Sequence, residues 1–209
     1  MSSFPPEFFS YPIHLVASPE EFAEMYVKVH AHAREVEKTY ERFHEYDYHT
    51  HRGQSRSKVE QDYLLGKLAE FFVERLSFIP HGLPYRTDWT VKERKDKTFA
   101  PDFESDGYCP IEQKACEEGR WSWEPSALVQ MDPPDKKWFG ERNETIFMAT
   151  TINVKERRTT IHAIIPVMSA RDHLADPMVE AHKGRKKAIY FSRLPSNAFL
   201  QSPGAFIRF

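Results

Sequence analysis

With 209 residues, 40% of them hydrophobic and 14% aromatic, the chain is long enough for one domain with a sizeable core and is not a disordered polymer. A formal net charge of −2 lacks the basic bias of many nucleic-acid binders, but acidic metal ligands and a basic groove would cancel in that sum. No run of about twenty apolar residues occurs, which excludes a membrane-spanning helix on sequence grounds. The lead Met1-Ser-Ser-Phe-Pro-Pro-Glu has no basic stretch followed by an apolar one, so it does not read as a secretory signal. Cys109 and Cys116 are seven residues apart, too far for a bridge within one extended strand, and are expected to be reduced. A cytoplasmic protein is therefore expected, in the host cytoplasm if the chain is viral.

In chain order, Met1 to Pro12 is a Pro- and Phe-rich lead. Ser18-Pro-Glu-Glu is a helix start, with Ser18 as cap, Pro19 in the first turn and Glu21 closing a capping box. Phe22, Met25, Val29, Ala33, Val36, Tyr40 and Phe43 follow at helical spacing, giving a long amphipathic helix to about His44. A His-rich linker, Glu45 to Gly53, leads to a second helix from about Ser57 to Phe78. That helix is apolar almost all round and should be buried on several sides. Glu70 falls in its sector with Val59, Tyr63, Gly66 and Val73, where a carboxylate needs a cationic partner: a metal ion, or a lysine such as Lys114.

Strands are expected at Tyr85 to Val91, after a charged turn Lys92 to Lys97 around Asp102, and over Tyr108 to Ala115. Ser126 to Met131 reads as a short helix, and Pro133 to Lys137 as a loop. Glu144 to Ile152 and Thr159 to Val167 read as β-branched strands joined by Asn153 to Arg158. A helix near Ala170 to Lys183, a basic run and a Pro-punctuated end complete the chain. The expected division is 1–54 (lead, helix and linker), 55–167 (core) and 168–209 (helix and basic tail packed on the same domain).

The most informative stretch is Phe99-Ala-Pro-Asp-Phe-Glu followed by Tyr108-Cys-Pro-Ile-Glu-Gln-Lys-Ala, joined through the turn Ser105-Asp106-Gly107. In a strand, side chains alternate between faces, so Glu112 and Lys114 share one face and can point at Asp102, while Ile111 anchors the other. Two acidic oxygen ligands suit a hard cation such as magnesium, and a lysine beside them can activate a water or steady a phosphate.

Pro101-Asp102 and Glu112-Gln113-Lys114 resemble the signature of the PD-(D/E)xK nuclease superfamily, over roughly Ser55 to Val167. The resemblance implies a restriction-endonuclease-like α/β core: a central mixed sheet of four or five strands flanked by helices, here with an extra N-terminal helix. It also implies Mg2+ or Mn2+ held by Asp102, Glu112 and the backbone carbonyl of Gln113, with Glu70 contributed by the preceding helix. Lys114 would then orient or activate the attacking water, and Gln130 would match a glutamine that some members carry on the next helix. The expected activity is metal-dependent endonuclease cleavage of double-stranded DNA, in restriction, repair or bacteriophage DNA processing, with a homodimer possible. The rival readings are a cap-snatching-type RNA endonuclease, with His44, His49 or His51 as an added ligand, and a non-catalytic nucleic-acid-binding or assembly protein of the same fold.

Lys183, Arg185, Lys186 and Lys187, with Arg52, Arg56 and Lys58, could track a phosphate backbone, the plainer alternative being a solvated charged face. Trp121 and Trp123 could stack on bases but read more simply as core residues. No Cys-x-x-Cys pair and no His-Glu-x-x-His helix is present, and His30 and His32, two apart on a helix, cannot clamp one zinc ion.

Overall fold

The structure, a computed structural model, describes residues 12–41, 56–91, 101–119, 124–130, 144–180, 183–184 and 186–194, with the backbone alone for 37, 39–41, 56–60, 62 and 130. Helix α1, Pro19–Glu41, begins at the expected capping box. The Ser18 N–H donates to Glu21 Oε2 at 3.0 Å, and the Glu21 N–H donates to Ser18 Oγ at 3.2 Å. Met25, Val29, Ala33 and Val36 bury one stripe of this helix, as their spacing requires. The stripe packs on helix α2, Arg56–Val73, where Leu68, Ala69 and Phe72 are fully buried. The second helix does not run to Phe78 as an α-helix. Its last turn, Glu74–Phe78, widens into a π turn.

The main sheet is mixed and four-stranded, in the order β1 (Ile13–Val16), β5 (Arg158–Pro166), β4 (Ile146–Asn153), β2 (Ile111–Glu117). Strands β4 and β5 form an antiparallel hairpin, β1 pairs antiparallel with β5, and β2 lies parallel to β4. A second, antiparallel sheet of three strands has the order β3 (Ser126–Gln130), β7 (Lys186–Tyr190), β6 (Leu174–Ala175). A short helix α3, Val167–Arg171, follows β5.

Alternation along the strands divides the core. Ile111, Ile146, Met148, Ile161 and Ile164 pack with Val73 and Phe78 on the helical side of the main sheet. Phe147, Ala149, Ala163 and Ile165 pack with Ala127, Val129 and Ile189 of the second sheet. The main sheet is thus covered on both faces, and β2 is one of its two edges.

Several sequence expectations are corrected. Ser126–Gln130 is a strand, not a helix: Ala127 and Val129 turn inward at period two, and the segment pairs with β7. Tyr85 to Val91 form no strand, and two of their N–H groups go to side chains instead. The Thr87 N–H donates to Glu74 Oε2 at 2.8 Å and the Thr90 N–H to Asp88 Oδ1 at 2.9 Å. Asp102 is outside any strand, and the next residue, Phe103, makes a single antiparallel bridge to Ile111. Among the described residues of 170–183, no α-helix continues past Arg171, and the chain enters β6 instead.

Phe103 ties the turn that carries Asp102 to the core. Its ring is fully buried, edge-on to Phe78 at 5.0 Å between centroids. Phe103→Ala is expected to cost roughly 3–5 kcal/mol through lost burial and the cavity left behind. Denaturant unfolding checks this, and a loss below about 1 kcal/mol would show that the turn is not anchored through this ring.

Candidate active site

The site is assembled at the free edge of β2. The turn Ser105 to Gly107 closes through Tyr108 N–H donating to Ser105 O at 3.1 Å, with Gly107 at φ +75°, a conformation that favours glycine. Phe103 and Ile111 then exchange both backbone hydrogen bonds, at 3.1 and 2.9 Å. This pairing brings Asp102 alongside Gln113, whose N–H donates to Asp102 Oδ2 at 2.8 Å. In a strand, the N–H and C=O of one residue point to the same side, so Gln113 also turns its carbonyl to this edge.

Glu112 and Lys114 share the opposite face from Ile111, in register with Phe147 and Ala149 of β4. The expected alternation holds. Lys114 Nζ donates to Glu112 Oε1. Glu112 is buried, and the Lys114 side chain remains 28% exposed, so solvent reaches the ammonium but scarcely the carboxylate. Asp102 lies within hydrogen-bonding reach of Glu112. Burial raises the Asp102 carboxyl above its usual range, against Lys114, the Gln113 N–H and Lys67, which all favour the charged form.

Glu70 approaches Asp102 from helix α2. Its side chain is buried, and the cation that accompanies it is Lys67, one turn earlier, with Nζ 2.5 Å from Glu70 Oε2. Lys114, named from sequence as a possible partner, is engaged with Glu112 instead. Lys67 also donates to the Asp88 backbone carbonyl at 3.2 Å. Burial first, and the Asp102 charge second, push Glu70 up to about 8, with Lys67 opposing. Sequence reading missed Lys67, although its i,i+3 spacing from a buried Glu70 was the available signal.

Among the described residues, no three His, Cys, Asp or Glu side chains are gathered as a metal shell. The donor chemistry at Asp102 nonetheless fits a hard cation. Two carboxyls in hydrogen-bonding reach must share a proton or a cation, and the Gln113 carbonyl faces the same edge.

The other expected residues are not gathered here. Gln130 ends β3, where it pairs with Lys186 rather than standing on a helix. Lys183 and Lys187 meet acidic partners, Glu180 at 2.5 Å and Asp176 at 2.6 Å. Arg56 and Lys58 lie in the first turns of α2. Arg52, Arg185, His44, His49, His51, Trp121 and Trp123 lie outside the described residues. His32 is buried and shares a 2.8 Å hydrogen bond with the Tyr63 hydroxyl, while His30 stacks on Tyr26. Cys109 and Cys116 are both free thiols. No helix among the described residues is long and apolar enough to cross a membrane.

No protein-family model matches the chain, and neither a curated protein nor a solved structure matches it.

The raised Glu70 value has a sign that can be measured. Between the ordinary value of 4.5 and about 8, the folded chain holds a proton that the unfolded chain has released. Stability therefore falls as pH rises through that window. Glu70→Gln removes this dependence, so wild type should lose stability relative to the variant from about pH 5 to about pH 9, measured by denaturant midpoints in chelator. A difference that stays flat with pH would show that Glu70 ionises normally.

Proposed function

We propose that the chain is a metal-dependent nuclease of the PD-(D/E)xK kind, cleaving phosphodiester bonds in double-stranded DNA. The observation that supports this reading most directly is the position of Asp102. It accepts the Gln113 N–H and meets Glu112 across the edge of β2, while Lys114 stands on the Glu112 face. Asp102, Glu112, Gln113 and Lys114 thereby each make a distinct contact. A magnesium or manganese ion held by Asp102, Glu112 and the Gln113 carbonyl would supply Lewis-acid stabilisation of the phosphate oxygens and lower the pKa of a bound water.

The protein groups divide the remaining work. Asp102 is fixed by a backbone donor and cannot swing away without giving up that hydrogen bond. Glu112 is buried at the inner end of the site, and Lys114 is its more exposed neighbour. The Lys114 ammonium is thus the group placed to meet an entering phosphate and to orient the attacking water beside it. Ile111, fully buried one residue before Glu112, anchors the strand.

The deciding assay incubates purified protein with plasmid, linear duplex, branched DNA and RNA, with and without divalent metal. Cleavage of duplex DNA in magnesium or manganese is expected. Cleavage confined to RNA would support the cap-snatching-type reading, and no cleavage of any substrate would support a binding role.

Glu112→Gln and Lys114→Met should each slow cleavage about a hundredfold or more, equivalent to roughly 3 kcal/mol of transition-state stabilisation. Their unfolding midpoints should change far less than that of Phe103→Ala. Wild-type turnover in either variant would remove these residues from the chemistry. Calcium should support binding without cleavage, because its longer and looser oxygen shell activates water poorly. Gel-shift and cleavage assays on the same DNA check this, and full cleavage in excess chelator would contradict it.

A further inference from the structure

Lys67 is a cation already lodged in the acidic cluster. Its side chain is only 11% exposed, and its ammonium touches two oxygens: Glu70 Oε2 at 2.5 Å and the Asp88 backbone carbonyl at 3.2 Å. The same charge also acts on Asp102. The Asp102 charge disfavours an ionised Glu70, and the ammonium bridges Glu70 on helix α2 to Asp88 in the segment after it. An ion bound on this side would use these same oxygens. Lys67 therefore competes directly with a metal for Glu70, whereas Lys114 is the ammonium that meets Glu112.

We propose that Lys67 is a positioning residue that takes the place of a second divalent cation, so that the site binds a single ion at Asp102, Glu112 and the Gln113 carbonyl. This rests on the nuclease reading of the site and deepens it. Glu70 is then the hydrogen-bonding partner of Lys67 and not a metal ligand. The single ion carries the metal chemistry, and the ammonium holds the place beside Glu70 and the Asp88 carbonyl.

The test counts manganese ions bound to full-length protein by titration calorimetry and by the resonance signal of free manganese, with no nucleic acid present. Wild type should bind one ion, Lys67→Arg one, and Lys67→Met two, because the neutral side chain leaves the Glu70 and Asp88 oxygens open. Two ions on wild type, or still only one on a folded Lys67→Met, would overturn the role of Lys67 while leaving the nuclease reading intact. No ion on wild type would overturn both. Should Lys67→Met fail to fold, Glu70→Gln decides. Its ion should bind within about threefold of the wild-type affinity, a change below about 0.7 kcal/mol, whereas a tenfold or greater loss would make Glu70 a ligand and refute the proposal.

Discussion

The hydrogen bond from the Gln113 N–H to Asp102 is the contact on which the site depends. Asp102 belongs to no strand, and its neighbour Phe103 makes only one bridge to β2. An edge strand offers unpaired N–H groups along its length, and here one of them captures a carboxylate instead of another strand. Register does the rest. Because Ile111 pairs with Phe103, the residue two further along β2 meets the residue just before Phe103. A slip of one residue would bury Glu112 and Lys114 on the helical side and turn Ile111 toward the second sheet.

The cluster is held in charge balance by paired lysines. Glu70, Asp102 and Glu112 would be unstable together as bare carboxylates in so buried a place. Lys67 offsets the charge from the helical side, and Lys114 from the side of the second sheet. Both lysines come from the same local spacing rules that place the acids: three residues along a helix and two along a strand. The asymmetry between them is exposure. Lys67 is enclosed and ties two elements together, whereas Lys114 has room to engage something that arrives from solvent.

Local signals in the sequence were legible where local contacts decide the structure. The Ser18–Glu21 capping box, the buried stripe of α1, the Gly107 turn and the alternation of Glu112 with Gln113 all follow from neighbours within a few residues. Distant pairing was not legible. Ser126–Gln130 is five residues long, too short for periodicity to separate strand from helix, and its partner β7 lies far along the chain. Tyr85 to Val91 have the composition of a strand, but Glu74 on the π turn claims the Thr87 N–H. Lys67 carries no sequence signal of burial, because a lysine on a helix is ordinarily solvated, whereas here it reaches the distant Asp88 carbonyl.

The parallel pairing of β2 with β4 bears on the order in which the chain can become competent. Asp102, Glu112 and Lys114 leave the ribosome before the β4–β5 hairpin exists. Until that hairpin is made, β2 has no sheet to join, and parallel strands cannot pair through a tight turn. The β4–β5 hairpin can close on its own through the turn after Asn153, but β2 must wait for it. In a chain of this topology the Asp102–Lys114 segment is made early, yet it gains a fixed shape only once the later β4–β5 hairpin gives β2 a sheet to join.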